Sequence, residues 1–237
     1  MVNLEERSEQ EELMDNYEGS REELEIVLSD ITRVNRILGG NTITMDAVFR
    51  LIEENYQKSY TILDMGCAEG NMLRVLAKKA RKLNIKLNLI GVDLNADALA
   101  IARDASTNFP EIEYYEKDIL SDDFSNLDID IVITTLTMHH FIDTNVLKFT
   151  QQFIKLASIG IVINDLQRSV LAYYLFKVFS LIFIKTKVAK IDGLISISKG
   201  FREQDLHAFA SALPDVAHTI KWKWAFRYVW VIRKKRL

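Results

Sequence analysis

Leu63-Asp64-Met65-Gly66-Cys67-Ala68-Glu69-Gly70-Asn71 is the stretch that decides the fold. The apolar run Tyr60–Met65 enters it as a strand, and the amphipathic run Asn71–Leu83 leaves it as a helix. Small residues at 66, 68 and 70 let a ligand lie against the backbone where a strand turns into a helix N-terminus. Any tight strand-to-helix turn needs small residues, so the loop alone is a weak signal. Its G-x-A-x-G spacing also differs from the G-x-G-x-x-G of dinucleotide dehydrogenases.

Working outward, Leu87–Val92, Ile112–Glu116, Ile129–Thr135 and Ile159–Asn164 read as further strands, with helices over Ala96–Ser106 and Asn145–Leu156. Near-continuous Ile/Leu/Val runs between helices imply parallel strands buried on both faces. Right-handed crossovers then give an open sheet whose crevice lies at the strand carboxyl ends. Phe201–Leu213 is a last helix. His218–Lys223 and Ala225–Arg233 form a closing hairpin in which Trp222, Trp224, Phe226, Tyr228 and Trp230 alternate. The expected fold is α/β: a doubly wound, mostly parallel seven-stranded, Rossmann-like sheet with an antiparallel C-terminal hairpin.

Two additions flank this core. Residues 4–29 are polar and helix-favouring, and an apolar stripe from Leu24 through Leu38 runs to a stop at Gly39-Gly40. With a helix over Thr44–Tyr56, residues 1–57 form an N-terminal helical extension to a domain spanning 58–237. Residues 166–200 are a helical lid insertion. Within it, Val170–Ile184 is apolar except for Lys177 and Ser180, yet shorter than the roughly 20 residues of a membrane span. A helix apolar on all sides must be buried or cover something apolar. A substrate lid, a homodimer face and a peripheral membrane contact are the open readings.

The chain has 237 residues, one cysteine and four histidines, which excludes a disulfide framework and a Cys/His zinc site, and no metal is expected. Glu5 and Glu6 stand where a signal peptide needs basic and apolar residues, so a reduced, cytoplasmic protein is expected. Residues 1–30 hold nine Glu and two Asp against two Arg, while the chain from Lys185 onward is basic. These regions read as mutually attracting surfaces, with residues 5–30 a solvated helix face. A net charge of -3 and the lack of a recognised motif exclude nucleic acid as the expected partner.

Three more segments follow the glycine loop. Asp93 closes the second strand, where an acid can accept both ribose hydroxyl hydrogens. Lys117-Asp118-Ile119-Leu120 follows the third strand, and Thr134-Thr135-Leu136-Thr137-Met138-His139-His140-Phe141 ends the fourth. Asp93 or Asp118 alone also fits a helix N-cap, and Cys67 alone a small buried filler.

Together, in this order and spacing, the four segments resemble the class I S-adenosylmethionine-dependent methyltransferases, over roughly residues 58–165. The Leu-Asp-x-Gly-Cys start and Met-His-His-Phe tail resemble the small-molecule, ubiquinone/menaquinone-type branch. Val34–Gly40 and the run Asn164-Asp165-Leu166-Gln167-Arg168 through Tyr173-Tyr174 resemble polyketide-associated enzymes. The resemblance implies S-adenosylmethionine as cofactor and S-adenosylhomocysteine (SAH) as product. Asp64, Gly66, Cys67, Ala68 and Gly70 would line the methionine end. Asp93 would hold the ribose, Leu94, Asp118 and Ile119 the adenine, and Thr135 would lie below the sulfonium. Ala68 departs from the family's glycine, and an alanine keeps the turn if its φ is negative.

The expected reaction is methyl transfer to a hydrophobic small molecule, by O-methylation of a phenolic or polyketide-like acceptor. C-methylation of a quinone-type precursor and cofactor binding without transfer are the alternatives. A nicotinamide oxidoreductase is disfavoured by the loop spacing. His139 or His140 is the candidate base, because imidazole titrates near neutrality. Arg168 and Gln167 would orient the acceptor, and Tyr173 and Tyr174 would stack on it.

Overall fold

The structure is a computed structural model that describes residues 2–15, 17–118, 121–124 and 127–234. In chain order its elements are α1 (Arg21–Ile37), α2 (Gly40–Glu54), β1 (Tyr60–Met65), α3 (Asn71–Leu83), β2 (Leu87–Asp93), α4 (Ala96–Ala105), β3 (Ile112–Glu116) and β4 (Ile129–Thr135). They continue as α5 (Asp143–Leu156), β5 (Ala157–Leu166), α6 (Val170–Phe183), α7 (Lys187–Lys199), α8 (Glu203–Ser211), β6 (Val216–Lys223) and β7 (Arg227–Lys234). The seven strands lie in the order β3-β2-β1-β4-β5-β7-β6. β1 to β5 are mutually parallel, and β7 runs antiparallel to both of its neighbours. The chain moves outward from β1 to β3 and restarts on the other side at β4. The sheet therefore opens its crevice at the carboxyl ends of β1 and β4.

Alternation along the strands builds two cores. Ile62, Ile131, Ile133, Val162, Val229 and Val231 pack on one face against α2, α3 and α4. Leu63, Met65, Val132, Ile161, Ile163 and Trp230 pack on the other against Phe149 and Phe153 of α5 and Leu206 and Phe209 of α8.

The extension departs from the expected helix over residues 4–29. Ser20 and Glu23 form a reciprocal capping box that starts α1 at Arg21. Upstream of it the chain is a strap laid across α7: Ser8 N–H donates to the Ser198 carbonyl, and Leu13 and Met14 N–H donate to Asp192. Glu12 in the strap and Asp30 in α1 are buried, so residues 5–30 are not simply a solvated face. α1 joins the rest of the molecule on two sides. Leu24 and Leu28 pack on Ala98 and Ile101 of α4, and Val27 and Val34 pack with Ile184, just after α6, and Ala189 of α7.

Residues 166–200 hold two helices, α6 and α7. α7 shows no apolar stripe in the sequence, because its buried side includes Asp192 and Lys199. α6 is not enclosed on all sides: Leu171, Val178, Leu181 and Ile182 are 60% to 73% exposed. No helix among the described residues is long and apolar enough to cross a membrane.

Candidate active site

The loop after β1 turns sharply enough to need positive φ at Gly66 (77°), Ala68 (45°) and Gly70 (71°). A β-carbon on Gly66 would stand 2.4 Å from Thr137 Cγ2, and one on Gly70 would stand 2.1 Å from the Tyr114 hydroxyl. Ala68 thus takes the left-handed conformation rather than the negative φ expected for an alanine. That conformation costs an L-residue about 1–2 kcal/mol, partly offset by alanine's lower unfolded-state entropy. Ala68→Gly is accordingly expected to raise the melting temperature by about 2 °C, checked by thermal unfolding.

Asp93 anchors this loop, its Oδ2 accepting the Ala68 N–H at 2.7 Å and its Oδ1 the Asn95 N–H at 3.0 Å. Asp64 lies beneath, fully buried, and its Oδ1 has no hydrogen-bond partner. Burial and the nearby Asp93 carboxylate push Asp64 up to about 8. Burial, reinforced by Asp64, also raises the Cys67 thiol, which makes it an inert wall of the loop. Glu69 ties the loop to α1 by accepting from Thr32 Oγ1 at 2.6 Å, while pairing with Arg74.

At the ends of β4 and β5, Thr135 Oγ1 lies 3.0 Å from Thr44 Oγ1, which accepts from Asn164 Nδ2 at 2.9 Å. This clamp fixes α2 over the crevice. After β4, a single 3-10 turn (Met138–His140) presents both histidines. His139 is buried, its Nδ1 2.6 Å from Asp165 Oδ1 and its Nε2 3.4 Å from Glu12 Oε1. Burial pulls the imidazole down, but the Asp165 and Glu12 carboxylates outweigh it and raise His139 to about 9. At neutral pH His139 is an imidazolium, without the lone pair that a base requires. His140 is less buried, with Nδ1 3.1 Å from Asp15 Oδ1. Glu12, His139 and His140 offer ligand atoms within 4.8 Å of one another. His139 and Lys199, whose Nζ is 3.8 Å from Glu12 Oε1, already balance these carboxylates, so the group reads as an ion-pair cluster.

One cavity of about 990 Å³ joins these parts. It runs from Asp93, Leu94 and Asn95 past Asp64, Gly66, Cys67 and Ala68 to Thr135, Leu136, His139 and His140. It ends in an apolar chamber under α1, α6 and α7, lined by Val34, Leu38, Phe176, Phe179 and Ile184.

Several expected site residues fall outside it. Arg168 is buried away from the cavity, where it binds the Leu4 and Gly200 carbonyls and Asp205 and so fastens the strap. Gln167 accepts from Trp222 Nε1 at 2.9 Å on the hairpin side. Tyr173 and Tyr174 pack edge-on against each other away from the cavity, because α6 turns Ala172, Leu175, Phe176 and Phe179 inward. Gly70 shapes the turn from behind, and Asp118 accepts from Ser121 Oγ at 2.8 Å beyond the cavity's edge. Ile119 lies outside the described residues.

The sequence reading missed Glu12, Asn35, Asn41, Asp192 and Arg227, all of which line the cavity. Only Arg227 left a signal, as a charged residue on the strand face of Val229 and Val231.

Known proteins agree with this architecture. Residues 62–160 match the Methyltransf_25 family, a methyltransferase domain. A 65-residue segment is 35% identical to 2-phytyl-1,4-naphtoquinone methyltransferase of Thermosynechococcus vestitus, and it spans 27% of this chain and 28% of that relative. The plantazolicin methyltransferase BpumL, solved with SAH, superposes with a TM-score of 0.68 at 16% identity, covering 94% of each chain. Magnesium protoporphyrin IX methyltransferase from Synechocystis PCC 6803, also solved with SAH, gives 0.58 at 12% identity over 83% of this chain and 84% of that one. Residues 62–160 thus match a methyltransferase domain, and the chain shares its fold with methyltransferases solved with SAH.

Proposed function

We propose that the protein methylates a hydrophobic small molecule, by O-methylation of a phenolic or polyketide-like acceptor. The observation that carries this reading is the single cavity joining the Gly66–Ala68 loop and Asp93 to an apolar chamber roofed by α1, α6 and α7. C-methylation of a quinone-type precursor is the second reading, favoured by the segment shared with the naphtoquinone enzyme.

The residues present fit the cofactor. The unpartnered Asp64 Oδ1 suits a cationic amine at the methionine end, and Asp93 suits the ribose hydroxyls. When bound, S-adenosylmethionine supplies an electrophilic methyl group on a sulfonium. The Gly66 turn and Thr135 would orient that end, and Leu94 would flank the adenine. Phe176, Phe179 and Ile184 exclude water from the acceptor, which favours a displacement that neutralises charge. His140, beside Asp15 at the cavity wall, holds the proton that an oxygen acceptor must lose. His139 fixes the turn that carries it.

Labelled methyl transfer to a panel of phenols and quinols checks the reading. A methyl ether as product supports it, a ring-methylated product selects the second reading, and no product with any acceptor contradicts both.

Asp64 gives an independent expectation. Pushed up to about 8, it is largely protonated at pH 7 in the ligand-free protein. A cationic amine beside it favours the carboxylate, so SAH binding at pH 7 should release close to one proton, and none above about pH 9. Binding enthalpies in two buffers of different ionisation heat read this release directly.

A further inference from the structure

Arg227 opens β7 on a core-facing position, and only 2% of it is exposed. Its guanidinium borders the cavity, and both Nε and Nη1 are buried without a hydrogen-bond partner. Burial draws it down to about 10, which leaves it a cation at neutral pH. Among the described residues no carboxylate forms an ion pair with it. Asp165, the acid whose charge acts on it, is engaged by His139 and by the Leu166 N–H at 2.7 Å.

The N-terminus of α2 adds positive potential beside the guanidinium. A β-carbon built on Gly40, the first residue of α2, would stand 2.9 Å from Arg227 Cζ and 1.9 Å from Asn35 Oδ1. α2 is 15 residues long, has no side-chain cap at Gly39 and carries no acid in its first turn. The guanidinium therefore rests against the positive end of a helix dipole. A buried cation and a helix N-terminus converge on the cavity wall, and among the described residues no carboxylate forms an ion pair with that cation. Such an arrangement is a receptor for an anion.

We propose that Arg227 binds a carboxylate carried by the acceptor, so that the preferred substrates are apolar acids anchored at this end of the cavity. The proposal rests on reading the apolar chamber as the acceptor pocket. One unpaired guanidinium suits a monoanion, and the planar two-oxygen carboxylate matches its fork. The cofactor's own carboxylate is a poorer occupant, because β4 and β5 separate β7 from the β1 loop. The bound carboxylate is an anchor: oxygens paired with a guanidinium are weak nucleophiles, and the methyl goes to another atom of the acceptor.

The test is calorimetric titration of the full chain, saturated with SAH, with decanoate and 2-naphthoate against decanol and 2-naphthalenemethanol. At least one acid should bind ten times more tightly than its alcohol. Arg227→Met should erase that preference, leave SAH affinity within twofold and raise the melting temperature of the ligand-free protein, since it removes an unpaired buried charge. Arg227→Lys, which keeps the charge and loses the fork, should retain the preference at lower affinity. Equal binding of acids and alcohols, no binding of either acid, or a tenfold loss of SAH affinity in Arg227→Met would overturn the proposal. A wild-type chain that binds no SAH counts against the methyltransferase reading, and the same acid-against-alcohol comparison without SAH then decides this one.

Discussion

Asp93→Ala is expected to lower SAH affinity about 100-fold while leaving the fold intact. Hydrogen bonds to a charged group contribute about 1.5–3 kcal/mol each, and the loss of two ribose hydroxyl bonds corresponds to at least 3 kcal/mol. The same carboxylate holds the Ala68 and Asn95 N–H groups, so the variant also loosens the loop proposed to receive the rest of the cofactor. Asp93→Asn keeps an acceptor and a similar shape, and should fall between wild type and alanine. Calorimetric titration with SAH measures all three proteins. An alanine variant that binds SAH as wild type does contradicts the ribose assignment.

The second large effect is on stability, and it depends on pH. His139 is held at about 9 in the folded protein against 6.5 for a free imidazole. The folded state therefore binds this proton more tightly than the unfolded chain. The resulting stabilisation is fully present below pH 6.5 and is lost as the pH rises through 9, an effect of about 3 kcal/mol. Asp64 acts in the same direction, since its folded value of about 8 also lies above its ordinary 3.8. Its contribution is present below about pH 4 and disappears as the pH rises through 8. His139→Gln isolates the first group. Urea unfolding should find the variant less stable than wild type by about 3 kcal/mol at pH 6, with the gap largely closed at pH 9.5. A gap of equal size at both values would mean that His139 packs as a neutral ring.

How much of this was legible in the sequence depended on how local each signal was. β1, β2 and β4 announce themselves because strands buried on both faces need near-continuous apolar runs, and the glycine loop follows one of them directly. Asp64, Asp93 and Thr135 line the cavity because a doubly wound sheet brings the carboxyl ends of its strands to one crevice. The strap was not legible. Its glutamates favour a helix, and only the Ser20–Glu23 cap, with Leu4 and Glu12 buried against distant residues, decides otherwise. α7 was hidden for a related reason: its inward residues Asp192 and Lys199 are polar, satisfied by strap groups more than 170 positions away in sequence.

The residues proposed to face the acceptor were the least legible. Arg168 and Tyr173 follow β5 in the chain, yet the turn into α6 directs them to the strap and away from the cavity. Arg227 reaches the cavity through the antiparallel pairing of β7 with β5, which sets it opposite Leu166. No spacing in the chain encodes that register. Ala68 was legible as a departure from glycine, but its backbone conformation is set by Asp93 pulling on its N–H.

The crevice at the carboxyl ends of β1 and β4 is expected to bind a sulfur nucleoside. Calorimetric titration of the purified chain with SAH, and in parallel with NADH, addresses it most directly. One SAH site per chain and no heat of binding with NADH are the expected results. Binding of NADH in place of SAH, or of neither with a phenolic acceptor mixture also present, would contradict it.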